Sequence, residues 1–302
     1  MPAWRARRPP QSEGTDVRER IGLAGSGVRL AGDRWAPDDD LPHRGTLLFL
    51  HGGGQTRHAW RHSAARFAEL GWTSLALDTR GHGESQWAPD GDYTMEALVA
   101  DLRSVLAQLD EVPVLVGASL GGMTSLLVEG EHPGSARALV LVDVVPRLEP
   151  AGVERIRAFM TARPDGFASL EEVAEDVRAY TPERTRPVNV EGLRKNLRRG
   201  DDGRWYWHWD PAFLSAGEEP RRDVDESRLR RAASRVQAPT LVLHGRHSDV
   251  VSQRGIDELL AVLPQAHTAD VSGAGHMVAG DDNDVFTRRL DEFLQQQVIR
   301  EG

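Results

Sequence analysis

The chain contains no cysteine among its 302 residues. That absence excludes disulfides, thiolate metal sites and a cysteine nucleophile together. It also lacks any surplus of positive charge: 37 Lys and Arg stand against 46 Asp and Glu, a formal net charge of −9. Such a chain offers little to a polymer of phosphates or an anionic lipid surface, so neither nucleic acid nor membrane is expected as a partner. No apolar run approaches the roughly 20 residues that span a bilayer. The opening "MPAWRARRPPQSEG" has arginines and prolines but not the apolar centre of a secretory signal. Residues 1–14 read as a flexible N-terminus, and the expected location is the cytoplasm. Repeats of fixed period are absent as well.

What is present is enough apolar material, 39% of residues, for a large core. In "VRERIGLAGSGVRLAGDRWAP" two alternating segments flank the turn signal "AGSG", which predicts an N-terminal antiparallel hairpin. Short apolar runs follow: "TLLFL", "TSLALD", "VPVLVGA", "ARALVLVD", "PTLVLHG" and "HTADVSG". Between them apolar residues return at helical spacing, as in Trp60, Ala64, Phe67 and Ala68, or Leu98, Leu102, Val105 and Leu109. Strand–helix alternation of this kind predicts an α/β fold with a mostly parallel, doubly wound sheet. The alternation stops between Pro146 and Val236, about 90 residues that read as helices and loops and are too long for a plain connection. Ser169 and Glu172 form a capping-box signature inside it. We therefore expect a core in two parts, residues 15–145 and 237–302, with 146–236 inserted as a helical cap or lid. The insertion follows a strand, and parallel sheets bind ligands beyond the carboxyl ends of their strands.

"VLVGASLGGM" sets Ser119 in a G-x-S-x-G pattern between an apolar run and a helix, the arrangement that lifts a serine hydroxyl above a sheet. The alternative is a serine that merely caps the helix. A hydroxyl needs a base before it can attack, and of eleven histidines His276, in the small-residue loop "GAGHM" after a late strand, is the one placed to serve. His58, His62, His132 and His208 read as structural or surface residues. The base needs a carboxylate to fix its tautomer. Asp249 in "VLHGRHSDVV" is the choice, with Asp143 in "LVLVDVVP" as the alternative acid. For the developing oxyanion, the backbone N–H groups of Gly53, in "LHGGGQT", and Leu120 are the expected donors. That glycine run matches neither G-x-G-x-x-G nor the lysine-bearing P-loop, and His244, His247 and Asp249 fit no zinc spacing. No cofactor and no metal is expected.

His51-Gly52-Gly53, "DTRGHGES" from Asp78 to Ser85, "GASLGG", Asp249 and "GAGHM" together resemble the α/β-hydrolase superfamily, in its capped esterase, epoxide-hydrolase-like and haloperoxidase-like branches. The resemblance spans most of the chain outside the insertion. It implies a Ser119–His276–Asp249 triad, an oxyanion hole at Gly53 and Leu120, and a variable cap that selects the substrate. Epoxide hydrolases and haloalkane dehalogenases carry an aspartate where this chain has Ser119, which disfavours epoxides and carbon–halogen bonds. The expected activity is cofactor-independent hydrolysis of small carboxylic esters or lactones. Perhydrolysis, acyl transfer and carbon–carbon cleavage on the same triad are alternatives, as is a slow-turnover ligand receptor. In the cap, "GRWYWHWDP" would put Trp205, Trp207 and Trp209 on one face of an extended segment, lining an acyl pocket with Met277 or forming the cap's own core. Arg204 and Asp210 read as surface or locally paired residues.

Overall fold

The structure is a computed structural model, and it describes residues 18–182, 187–215, 225–246, 248–271 and 283–299. His276 and Met277 lie outside the described residues.

Strands β3 (Gly45–Leu50), β5 (Val114–Ala118) and β6 (Ala138–Val142) are buried at every position, as expected of strands covered on both faces. With β1 (Arg18–Ala24), β2 (Arg29–Trp35), β4 (Trp72–Leu77), β9 (Thr240–Gly245) and β10 (His267–Val271) they form an eight-stranded sheet. The order is β1-β2-β4-β3-β5-β6-β9-β10. The predicted N-terminal hairpin is β1–β2, and β2 alone runs against the others. Successive residues of β3 divide between the faces, Leu48 and Leu50 joining one apolar cluster, Leu47 and Phe49 the other. The first cluster is completed by α2 (Met95–Leu106), α3 (Leu120–Glu131), α7 (Glu226–Ala233) and α8 (Gln253–Val262). The second is completed by α1 (Arg61–Ala68) and α9 (Asn283–Gln297), where Trp60, Phe67 and Phe286 fill the gap. Thr94 caps α2 by accepting the Ala97 N–H at 3.3 Å, and the helix closes at Leu106, so Leu109 of the predicted stripe falls beyond it.

Pairings Leu50↔Gly117, Ala118↔Val142 and Val142↔Leu243 align the carboxyl ends of β3, β5, β6 and β9. One edge of the sheet thus carries His51–Gly54, Ser119, Asp143 and the loop of Asp249.

Between β6 and β9 lie α4 (Pro150–Thr161), α5 (Leu170–Tyr180), a tight helical turn at Glu191–Asn196, strands β7 (Leu197–Arg199) and β8 (Trp205–Trp207), α6 (Ala212–Ser215) and α7. The β7–β8 hairpin is an addition to the helices and loops that the sequence led us to expect. Ser169 does cap α5, its hydroxyl 3.3 Å from the Glu172 N–H, but Glu172 reaches back to the Ala168 N–H at 2.7 Å, one residue beyond the N-cap N–H of the predicted box. α7 lies against α3, with Leu229, Ala232 and Ala233 in the same cluster as Leu126, so the last part of the insertion covers the sheet. Among the described residues, no helix is long and apolar enough to cross a membrane.

Candidate active site

Ser119 sits between β5 and α3 with φ +45° and ψ −113°, a conformation that costs a non-glycine residue energy and persists because its surroundings over-determine it. Its N–H donates to the Val142 carbonyl at 3.1 Å, and its own carbonyl accepts the Met123 N–H at 2.8 Å. Its side chain makes no capping hydrogen bond. The neighbouring glycines are there for close approach. A Cβ on Gly117 would overlap the backbone of Gly121, and one on Gly121 would stand 2.5 Å from the Leu50 carbonyl oxygen. The elbow therefore lets α3 lie directly across β5 and β3, with the serine at its crest. Leu120 is the first residue of α3, a position whose N–H has no acceptor within its helix.

The Gly52–Gly54 loop flanks the serine: a Cβ built on Gly52 would lie 3.3 Å from the Ser119 Cβ. Gly52 N–H donates to the Gln55 side-chain oxygen at 3.0 Å, and Gly54 N–H donates to His82 Nε2 at 3.1 Å. Between them, Gly53 N–H has no acceptor among the described residues. Both amides expected to hold an oxyanion are therefore at hand beside Ser119.

Three buried imidazoles line the far side of this loop. His51 donates from Nδ1 to the Gly52 carbonyl at 2.8 Å and accepts the Thr79 N–H on Nε2 at 3.0 Å. His82 donates from Nδ1 to the Arg80 carbonyl at 3.0 Å. His208 follows β8 in the insertion and packs 5.7 Å from His82, ring centre to ring centre. Burial lowers the pKa of His51 to about 4 and, with the neighbouring His51 adding to it, that of His82 to about 3. Burial, His82 and His51 hold His208 well below its ordinary value too. All three rings are neutral at pH 7. The loop that carries His82 is pinned from below, where the buried Arg57 guanidinium meets Asp78, Asp33 at 3.1 Å and Glu84 at 2.6 Å.

The two candidate acids stand at the ends of adjacent strands in different surroundings. Asp143, with φ +50°, is buried, and its carboxylate accepts the Gly245 N–H at 3.1 Å and the Ser248 hydroxyl at 2.7 Å. Asp249 is partly exposed and paired with Arg155 of α4, at 2.7 and 3.0 Å.

The tryptophans separate. Trp205 bonds through its backbone to Phe167 and lies between the Arg194 and Arg199 guanidinium groups, 5.0 and 4.6 Å from its ring. Trp207 packs edge-on to Phe167 and with Trp205 flanks the small apolar cluster of Phe167, Val173, Ala174 and Leu193. Trp209 stacks on Trp207 at 5.0 Å and reaches the serine loop, 3.4 Å from where a Gly54 Cβ would stand. Met160 and Phe213, which the sequence did not single out, approach the same loop: Met160 lies 3.0 Å from the Gly54 position and Phe213 3.8 Å from that of Gly53. Asp210 corrects its expectation as a surface residue, although it does pair locally, accepting the Ala212 N–H at 2.9 Å. It is buried, hydrogen-bonded by the Tyr93 hydroxyl, and donates its N–H to the Gly81 carbonyl at 2.8 Å. Arg204 does pair locally through its N–H, which donates to Asp202 at 3.0 Å, while its guanidinium reaches the more distant carbonyls of Asp165 and Gly166 at 2.7 and 3.0 Å.

The α/β-hydrolase fold model matches residues 45–282. Esterase Rv0045c of Mycobacterium tuberculosis is 32% identical over 226 residues, 70% of this chain and 70% of its own length. The mouse sn-1-specific diacylglycerol lipase ABHD11 is 30% identical over 268 residues, 85% of this chain and 82% of its own. Among solved structures, an α/β hydrolase from Novosphingobium aromaticivorans superposes with a TM-score of 0.77 at 25% identity, covering 94% of this chain and all of that one.

Proposed function

The chain belongs to the α/β-hydrolase fold family, and from that premise we propose that it is a serine esterase that cleaves small carboxylic esters or lactones through an acyl-enzyme. The observation that carries this is the strained Ser119, its hydroxyl uncommitted to helix capping, beside a Gly53 N–H without an acceptor among the described residues. The esterase and lipase among its relatives support the same reading.

In this mechanism His276 takes the Ser119 proton as Oγ bonds to the ester carbonyl carbon. The carbonyl electron pair moves onto oxygen, which the N–H groups of Gly53 and Leu120 stabilise. Collapse expels the alkoxide, which leaves with the proton from His276. Water, deprotonated by the same imidazole, then attacks the acyl carbon, and collapse releases the carboxylic acid while His276 returns the proton to Ser119 Oγ. Asp249 orients the imidazole, and Asp143 shapes the loop that presents Asp249. Phe213, Met160 and Trp209, grouped beside Gly53 and Gly54, form the wall against which the acyl group rests. The part of the insertion that carries them acts as the cap.

Labelling with a fluorophosphonate, run with p-nitrophenyl acetate hydrolysis on wild type and on Ser119→Ala, tests the proposal. Wild type should label and turn over, and Ser119→Ala should lose both, with turnover down on the order of 10⁶-fold. Equal hydrolysis by the two proteins would refute it. A peracid assay on the same samples separates water from peroxide as acceptor.

A further inference from the structure

His208 is buried, and its two ring nitrogens touch two different loops of the core. The Gly83 N–H points at Nδ1 from 2.8 Å. An amide only donates, so Nδ1 carries no proton and the ring proton sits on Nε2. Nε2 lies 3.3 Å from the Gly54 carbonyl oxygen and donates to it. His82 supplies the complementary bond, accepting the Gly54 N–H.

Because peptide units are planar, the direction of the Gly53 N–H is fixed by what holds the planes around it. Its own plane contains the Gly52 carbonyl, which accepts from the Gln55 N–H at 3.1 Å and from His51 Nδ1 at 2.8 Å. The next plane contains the Gly54 N–H, held by His82, and the one after it contains the Gly54 carbonyl, held by His208. Gly54 has φ +74° and no side chain to restrain it, so these bonds set its conformation. Of the hydrogen-bonding groups just named, all among the described residues, His208 is the one that comes from the insertion between β6 and β9. The residues after it close the same edge. Asp210 is bonded to Gly81 and Tyr93, and Phe213 lies edge-on to His82 at 4.6 Å.

We propose that His208 is a positioning residue for the oxyanion hole: it makes the Gly53 donor competent only while the cap segment 208–213 is seated on the core. This rests on the serine-esterase reading above. The oxyanion forms in the transition state and is absent from bound ester, so a slackened loop should lower kcat and leave KM nearly unchanged. His208 touches no substrate in this scheme; it acts through Gly54.

The test compares His208→Phe, which keeps a flat ring and loses both bonds, with His208→Gln, whose amide N–H₂ can still donate to the Gly54 carbonyl. Ester kcat and KM are measured beside inhibition by a trifluoromethyl ketone, whose tetrahedral adduct places an oxyanion in the hole. His208→Phe should lose about 10- to 100-fold in kcat, keep KM within about threefold, and bind the ketone more weakly in parallel with kcat/KM. His208→Gln should recover most of both. A residue that only holds the fold together would not shift ketone affinity in step with kcat/KM in folded protein. A folded His208→Phe with wild-type kcat and ketone affinity, or with a raised KM and unchanged kcat, overturns the proposal. Should His208→Phe not fold, His208→Gln is set against His208→Asn, whose shorter amide reaches Gly83 and not Gly54. Equal kcat in those two overturns the proposal, and a lower kcat in His208→Asn supports it. Wild type inert to both ester and fluorophosphonate removes the esterase reading and this inference with it. An active wild type with an unaffected His208→Phe removes this inference alone.

Discussion

The Asp143 carboxylate and the Ser248 hydroxyl, 2.7 Å apart, tie the end of β6 to the loop that follows β9. The bond continues through the serine, whose oxygen accepts the N–H groups of Val250 at 3.2 Å and Val251 at 3.1 Å. Asp249 lies within that arc. The chain thus spends one buried acid on shaping the loop that presents the other.

The first prediction separates their roles. Asp249→Asn should lower kcat by roughly 10⁴, since an amide favours the wrong imidazole tautomer. Its melting temperature should hardly move, because the Asp249–Arg155 pair is substantially exposed and worth little. Asp143→Ala strands the buried Gly245 N–H and the partly buried Ser248 hydroxyl, and should cost about 3 kcal/mol in urea unfolding. Asp143→Asn should keep most of the turnover. Measuring kcat and unfolding free energy on these variants decides, and full turnover by Asp249→Asn beside an inert, folded Asp143→Asn would transfer the acid role to Asp143.

The second concerns acid. His51 and His82 carry pKa values of about 4 and about 3 in the fold, lowered first by burial, against about 6.5 in an unfolded chain. Between those values the unfolded chain binds protons that the folded one refuses, so stability falls as pH drops below about 6.5 and is unaffected by these groups above it. At pH 5 each should cost about 2 kcal/mol. His208, lowered well below its usual value, adds in the same direction. Carboxylates titrate mostly below this window, so urea midpoints at pH 7.5, 6 and 5 isolate the histidines. A midpoint unchanged from 7.5 to 5 would contradict the neutral, amide-bonded assignment of these rings.

How far the sequence carried the fold depends on separation along the chain. Ser119 was legible because G-x-S-x-G records a local crowding problem, the crossing of α3 over β5 and β3, in the residues that suffer it. The hairpin β1–β2 announced itself by alternation around a turn. By contrast, β7 holds three residues, too few for a period of two to register. His208 reads as a structural or surface residue and Asp210 as a surface or locally paired one because their partners Gly54, Gly83 and Tyr93 lie more than 100 positions away. No local pattern encodes such a contact. The Trp205-x-Trp207-x-Trp209 spacing was legible as an extended segment, yet alternation alone could not tell which indole faces the site.

The last prediction uses that division of the tryptophans. Trp207 is packed on Phe167 beside the cap's apolar cluster, whereas Phe213, Met160 and Trp209 surround the Gly53–Gly54 loop. Removing Trp207 should therefore open a void in the cap and lower its stability by about 3 kcal/mol, and the order of preference among acetyl, butyryl and octanoyl esters should stay as it was. Phe213→Ala removes a ring that lies 3.8 Å from where a Gly53 side chain would stand. That should enlarge the acyl site and shift relative kcat/KM toward the longer chains, with about 1–3 kcal/mol at stake for each methylene-sized change in fit. Phe213 also lies edge-on to His82, so part of the loss should appear in kcat for every ester, while the shift in preference reports the pocket alone. Chain-length profiles and melting temperatures on the two variants give the answer. A changed profile in Trp207→Ala with an unchanged one in Phe213→Ala would put the acyl wall at the indoles and not at Phe213.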